Sequence, residues 1–173
     1  SIKAGEAFNI VLDKIEAELV YDEALYAELK HKAECNGKIS LSTDGKTIYL
    51  LAKGIAKHAS IPEGSENAAL VLFSLLCECE KLCKDDRNVL IGAVEALSCY
   101  YGKGLDILHE DVNFGKTTCV NGMVKTENNK LKLSFDVRYG DTMDAEKLES
   151  NSANALERLG FEVVWKDNSP GFS

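Results

Sequence analysis

The run Lys38-Ile39-Ser40-Leu41-Ser42-Thr43-Asp44-Gly45-Lys46-Thr47-Ile48-Tyr49-Leu50-Leu51-Ala52-Lys53 decides the fold. Ile39 and Leu41 alternate with serines before Asp44-Gly45, and β-prone residues return after it. Asp-Gly is the dipeptide favoured in a two-residue hairpin turn, so the run predicts antiparallel strands over 38–43 and 46–53. Upstream, Asp22 is a helix N-cap, and Leu25, Tyr26, Leu29 and Ala33 form one apolar stripe. Asn36-Gly37 supplies a left-handed stop. Residues 7–20 read as extended, with a break around 12–14. Strand 15–20, the helix and strand 38–43 therefore make a β-α-β unit.

Downstream of Gly54 the pattern changes. Pro62 and Gly64 forbid regular structure over 55–67, which places His58 in a loop or at a strand end. Ser65 or Asn67 can cap a long apolar helix to about residue 84, with Ala68, Leu72, Leu75, Leu76 and Cys79 spaced for burial. Lys84-Asp85-Asp86 is a polar break before a helix over 87–100, and 101–115 is loop-like. Strands 117–125 and 130–139 form a second hairpin joined near Asn128-Asn129. In the latter, Leu131, Leu133, Phe135 and Val137 alternate with Lys132, Ser134, Asp136 and Arg138. Thr142 caps a helix to Leu159, Gly160 ends it, and 161–166 is a last strand. Strand 130–139, this helix and strand 161–166 make a second β-α-β unit. The fold class expected is α+β: two β-α-β (ferredoxin-like) units, a mainly antiparallel sheet, and helices packed on one face.

With 173 residues the chain is one domain, 1–173, or two intimate subdomains, 1–84 and 85–173. The chain does not begin with Met and reads as an excised or processed segment. Its 20 basic and 28 acidic residues give a net charge of −8, which excludes the basic footprint of a nucleic-acid or anionic-membrane partner. No apolar run approaches the ~20 residues that span a bilayer, and the N-terminus has no signal-peptide core. Six cysteines (35, 77, 79, 83, 99 and 119) include no Cys-x-x-Cys pair. They read as free thiols acting as small apolar residues in a reducing cytoplasm. Only three histidines occur, His31, His58 and His109. A two-zinc hydrolytic site needs several converging His and carboxylate ligands, so no metal site is expected within this chain.

His58, on a Pro/Gly-stiffened turn, is positioned to donate one hydrogen bond from a neutral imidazole to a developing oxyanion; a plain surface His is the simpler alternative. Arg138 shares the polar face of its strand with Asp136 and is either a surface ion pair or a fork-shaped clamp for a carboxylate. Asn9, in the apolar stretch Phe8-Asn9-Ile10-Val11, is a turn residue or a ligand contact. His31 suits the end of the first helix. His109 beside Glu110 and Asp111 could hold a metal, but a solvated acidic loop is the simpler reading.

These positions carry a resemblance. The run Gly54-Ile55-Ala56-Lys57-His58-Ala59-Ser60-Ile61-Pro62-Glu63-Gly64-Ser65-Glu66-Asn67-Ala68-Ala69 resembles the signature of the lid, or dimerisation, domain of the co-catalytic zinc exopeptidases. Gly5-Glu6-Ala7-Phe8-Asn9-Ile10-Val11, Gly115-Lys116-Thr117-Thr118-Cys119-Val120-Asn121-Gly122 and Asp136-Val137-Arg138-Tyr139 are similar to the bacterial Xaa-His (carnosinase-like) dipeptidase branch. Order and spacing fit along nearly the whole chain: 49 residues from Asn9 to His58, then 80 to Arg138.

The resemblance implies a lid inserted into a cytoplasmic zinc-dependent dipeptidase. A separate catalytic domain would hold two zinc ions, a bridging water and a Glu base, and this segment would bind neither zinc nor nucleic acid nor membrane. His58 would stabilise the tetrahedral intermediate, and Asn9 and Arg138 would hold the C-terminal carboxylate of a dipeptide or small peptide. Where dipeptidase lids have Pro, this chain has Leu12, a difference that bears on substrate preference. In some branches the domain dimerises; in this branch an enlarged lid imitates the second subunit, which favours a monomeric parent. The competing reading is a non-catalytic α+β association or ligand-sensing module. A third, an enzyme built on His109, Glu110 and Asp111, would require metal binding by this chain itself.

Overall fold

Residues 1–164 and 166–167 are described by a computed structural model. In chain order the elements are β1 (Ile2–Ala4), β2 (Lys14–Val20), α1 (Glu23–Asn36), β3 (Ile39–Thr43), β4 (Thr47–Lys53), α2 (Ala68–Cys77) and α3 (Lys84–Leu97). A 3₁₀ turn (Lys103–Leu105), the short pair β5 (Glu110–Asp111) and β6 (Gly115–Lys116), the long hairpin β7 (Thr118–Glu127) and β8 (Lys130–Arg138), and α4 (Ala145–Arg158) follow. Six strands form one sheet in the order β3-β4-β2-β1-β7-β8, with every neighbouring pair antiparallel. β4 lies between β2 and β3, so β2-α1-β3 is a split β-α-β unit. The chain is α+β, in keeping with a ferredoxin-like arrangement.

The hairpin at Asp44-Gly45 forms because the Asp44 carboxylate accepts the backbone N–H groups of Lys46 and Thr47, each at 2.8 Å. β2 and β4 then pair over seven residues, from Lys14 opposite Lys53 to Val20 opposite Thr47. Ile15, Ala17, Ile48, Leu50 and Ala52 point to one face, where Leu25 and Leu29 of α1 and Leu72, Phe73 and Leu76 of α2 cover them. Each large aliphatic or aromatic side chain so buried contributes about 1.5–3 kcal/mol. Glu16, Glu18 and Tyr49 face solvent on the reverse side. A second cluster joins Ala96, Leu105, Ile107, Cys119 and Leu148 to Val137 and Leu156, and Phe135 packs against both clusters.

Several local expectations are corrected. β1 has no counterpart among the expected strands, because three residues are too few for a period to register. The apolar helix expected to reach about residue 84 ends at Cys77. The Glu28 carboxylate of α1 takes the backbone N–H groups of Glu80 and Lys81 at 2.8 and 3.0 Å, which draws the chain off the helix axis. α3 therefore begins at Lys84 rather than residue 87, with Asp85 and Asp86 in its first turn, where acids suit the helix dipole. Asp144, not Thr142, caps α4, accepting the N–H groups of Glu146 and Lys147.

The strand expected at 161–166 is not formed at its described residues, and Trp165 lies outside them. The N–H of Phe161 is used instead to bond Leu156 O at the end of α4. The second β-α-β unit thus lacks its closing strand among the described residues. Of the cysteines, Cys79 and Cys119 are buried as expected, and burial pushes their thiols up to about 11 and about 12. Cys35 and Cys83 are exposed and do not serve the core. The acidic loop at His109 is not simply solvated, because Asp111 is buried.

Candidate functional site

The loop carrying His58 is closed at its base. Ile55 and Glu66 exchange both backbone hydrogen bonds, at 2.8 and 3.0 Å, and Lys38 pairs with Glu66 at 2.5 Å. The closure demands glycine at Gly54: a Cβ there would sit 2.1 Å from Glu66 O and 2.8 Å from Ala68 N. Within the loop, Ile61 N–H bonds His58 O and Ser65 N–H bonds Pro62 O, giving two successive turns. Tyr101 donates to Glu63 at 2.7 Å, and Lys116 lies 5.0 Å over the Tyr101 ring, so the outer turn is tied to the rest of the domain. That bond to Glu63 raises the Tyr101 hydroxyl to about 12.

A one-residue bridge brings Asn9 to His58. Val11 N–H bonds Lys57 O and Ala59 N–H bonds Asn9 O, both at 2.9 Å, so Ile10 and His58 stand directly opposite each other. Asn9 Nδ2 comes to 3.4 Å from His58 Nε2. On the other side of the ring, the backbone N–H of Ser60 points at Nδ1 from 3.3 Å, and Ser60 Oγ lies 2.7 Å from the same atom. In the tautomer protonated on Nε2, Nδ1 accepts the Ser60 N–H; in the tautomer protonated on Nδ1, the ring donates to Ser60 Oγ and Nε2 accepts from Asn9 Nδ2. In the Nε2-protonated tautomer the Nε2–H of His58 and the amide N–H of Asn9 are two neighbouring donors, which acceptor oxygens of one bound molecule would satisfy. His58 is exposed and Asn9 half-buried.

Below this bridge, Val11 and Ala59 are buried against Val120 of β7, with Tyr100 beside them. β7 is bulged between Asn121 and Met123. At the bulge Gly122 must be glycine, since a Cβ would meet Ala7 O at 2.2 Å and Phe8 O at 2.5 Å. Asn121 fixes the bulge by donating to Met123 O and Ser134 O, and Leu12 N–H bonds Asn121 O. The 8–12 segment is thereby laid along an edge of β7 that β1 does not reach.

Arg138 sits at the end of β8 opposite Thr118, and Asp136 sits opposite Val120. Both project from the face that Val11 and Ala59 cover. Arg138 is not hydrogen-bonded to Asn9 or His58 among the described residues; its Nε lies 3.1 Å from Asp136 Oδ1. So the fold joins Asn9 with His58, and brings Arg138 to the same side of the sheet without completing a triad. A cavity of about 180 Å³ lined by Val11, Asn67, Tyr100, Val120 and Asn121 lies behind the bend, and none of the three predicted residues lines it.

Sequence reasoning misses Ser60, whose N–H and hydroxyl both contact His58 Nδ1, and the part that Asp111 plays. The Asp111 carboxylate takes the Thr142 hydroxyl together with the N–H groups of Asn113, Phe114 and Thr142. These donors, the Thr142 hydroxyl first, hold it well below the usual carboxylate range. It fastens the β5–β6 pair to the loop that follows Arg138, and His109 Nε2 lies 3.1 Å from Thr142 Oγ1. An Asp two residues before Asn-Phe is the signal that could have marked it as a turn-binding carboxylate. Among the described residues no group of three or more His, Cys, Asp or Glu side chains could hold a metal ion, and no helix is long and apolar enough to cross a membrane. Compared with models of known protein families and with the curated proteins, the chain matches none.

Proposed function

We propose that the chain is the substrate-binding lid of a cytoplasmic zinc-dependent dipeptidase and acts within a larger enzyme. The observation that supports this reading is the pairing of His58 and Asn9, whose Nε2 and Nδ2 are held 3.4 Å apart by a bridge between segments 49 residues apart. His58 supplies one N–H to the oxygen of the scissile carbonyl as that oxygen becomes negative. Preorganised donors of this kind act where charge develops and gain strength when closure excludes water. Asn9 and Arg138 hold the substrate's C-terminal carboxylate. Among the described residues no donor set fits zinc, and the two zinc ions of the proposal belong to a catalytic domain outside this segment. A pair with His58 exposed and Asn9 half-buried suits a lid, whose site is completed by the surface it closes on.

Arg138→Ala in the full-length enzyme tests the reading. Loss of a charge-assisted carboxylate contact, about 1.5–3 kcal/mol, should raise KM for free dipeptides about 10- to 100-fold. Unchanged kinetics would remove the clamp. A second reading, a non-catalytic association module, is favoured by β3 and β8 being the outer strands of the sheet. It expects concentration-dependent self-association and no zinc-bearing domain in the same gene product.

A further inference from the structure

We propose that Asp136 is a positioning residue for Arg138: it fixes one edge of the guanidinium so that the remaining N–H pair is presented to the carboxylate of a free dipeptide. The inference rests on the clamp reading of Arg138 given above. Arg138 Nε lies 3.1 Å from Asp136 Oδ1, and Nη2 lies 3.5 Å from Oδ2. The side-on edge of the planar fork is therefore occupied, while the end-on edge, Nη1 with the second N–H of Nη2, has no partner among the described residues. The two side chains are unequally covered, 35% of Arg138 and 19% of Asp136 being exposed. The carboxylate, on the shorter side chain, is thus the more covered member and the guanidinium the more exposed one.

The sheet supplies the aim. Residues two apart on a strand share a face, so Asp136 and Arg138 both project on the side where Val120 meets Val11 and Ala59. Those two residues flank the bridge that joins Asn9 to His58. An arginine already held on one edge has less side-chain freedom to lose when a carboxylate arrives, and that saving appears as affinity.

The test is a double-mutant cycle in the full-length enzyme with a free Xaa-His dipeptide, following KM and kcat separately. Asp136→Asn, which keeps the shape and removes the charge, should raise KM about tenfold with kcat changed by less than threefold. Asp136→Glu should recover part of that loss. In an Arg138→Ala background Asp136→Asn should add nothing, because its effect passes through the missing guanidinium. Additive losses in the double variant would show that Asp136 serves only the fold and would overturn the proposal. An unaltered KM in Asp136→Asn beside a raised KM in Arg138→Ala would also overturn it, while leaving the clamp intact. An unaltered KM in Arg138→Ala would remove the clamp reading and this inference together. Should Asp136→Asn not fold, Asp136→Glu decides the matter in its place: shifting the carboxylate by one methylene must raise KM if it aims Arg138, and an unaltered KM would overturn the proposal.

Discussion

At one end of the sheet, β2 and β4 obey strict alternation: Ile15, Ala17, Ile48, Leu50 and Ala52 are buried, and the residues between them are not. At the other end, Thr118, Cys119, Val120 and Asn121 are all at most 5% exposed in succession. There α4 and the turn at Lys103–Leu105 cover one face of the hairpin, while the Asn9 and His58 segments cover the other. The first end is a scaffold with one dry face. The second is covered on both faces, interrupted by a bulge, and lies beneath the Asn9–His58 pair. The proposed site sits where the sheet departs from its period, because irregular segments can aim side chains that a regular ladder would hold apart.

The two ends should therefore break differently. Phe73→Ala, at a fully buried position of α2, should cost about 3–5 kcal/mol, read as a lower unfolding midpoint, while KM in the surviving folded enzyme stays near its original value. Gly122→Ala, beneath the Asn9 segment, should cost about 1–3 kcal/mol and also raise KM, because Ala7 and Phe8 must move away from the new Cβ. Equal effects on KM from both would erase the distinction.

Asp111→Asn should lower the midpoint by less, with a pH signature. The folded-state pKa of Asp111 is depressed, so its contribution is fully present above the ordinary carboxylate pKa of about 3.9 and fades as pH falls below that value. The gap between the original protein and Asp111→Asn should be constant near neutrality and narrow in acid. A gap that widened in acid would reverse the assignment. Smallest, and opposite in sign, is Asn129→Gly. Asn128 and Asn129 both have positive φ, at 51° and 58°, and Asn-Gly suits such a turn better, so stability should rise by roughly 0.5 kcal/mol.

What is legible in the sequence follows the same division. The Asp44-Gly45 hairpin, the Asp22 cap and the stripe of α1 rest on local rules, and the fold keeps them within a residue or so. The end of α2 depends on Glu28, which holds Glu80 and Lys81 from 52 and 53 residues away, and no periodicity carries that information. The last turn of α4 is settled by a backbone bond from Phe161, where residue type alone suggests a strand. At the site, Asn9 and His58 can be named from residue types and spacing. Ser60 cannot, because its role appears only when its N–H is seen aimed at Nδ1. Arg138 and Asp136 show in the sequence as an alternation on one strand, and the fold adds which edge of the guanidinium is occupied.

The central claim is that the His58 Nε2–H serves a reacting oxygen. Its most direct test is the turnover of His58→Ala in the full-length enzyme, assayed with a free dipeptide at saturating concentration. Loss of one such donor should lower kcat by roughly 10²–10³ with the fold retained. A folded His58→Ala enzyme with undiminished kcat would contradict the account.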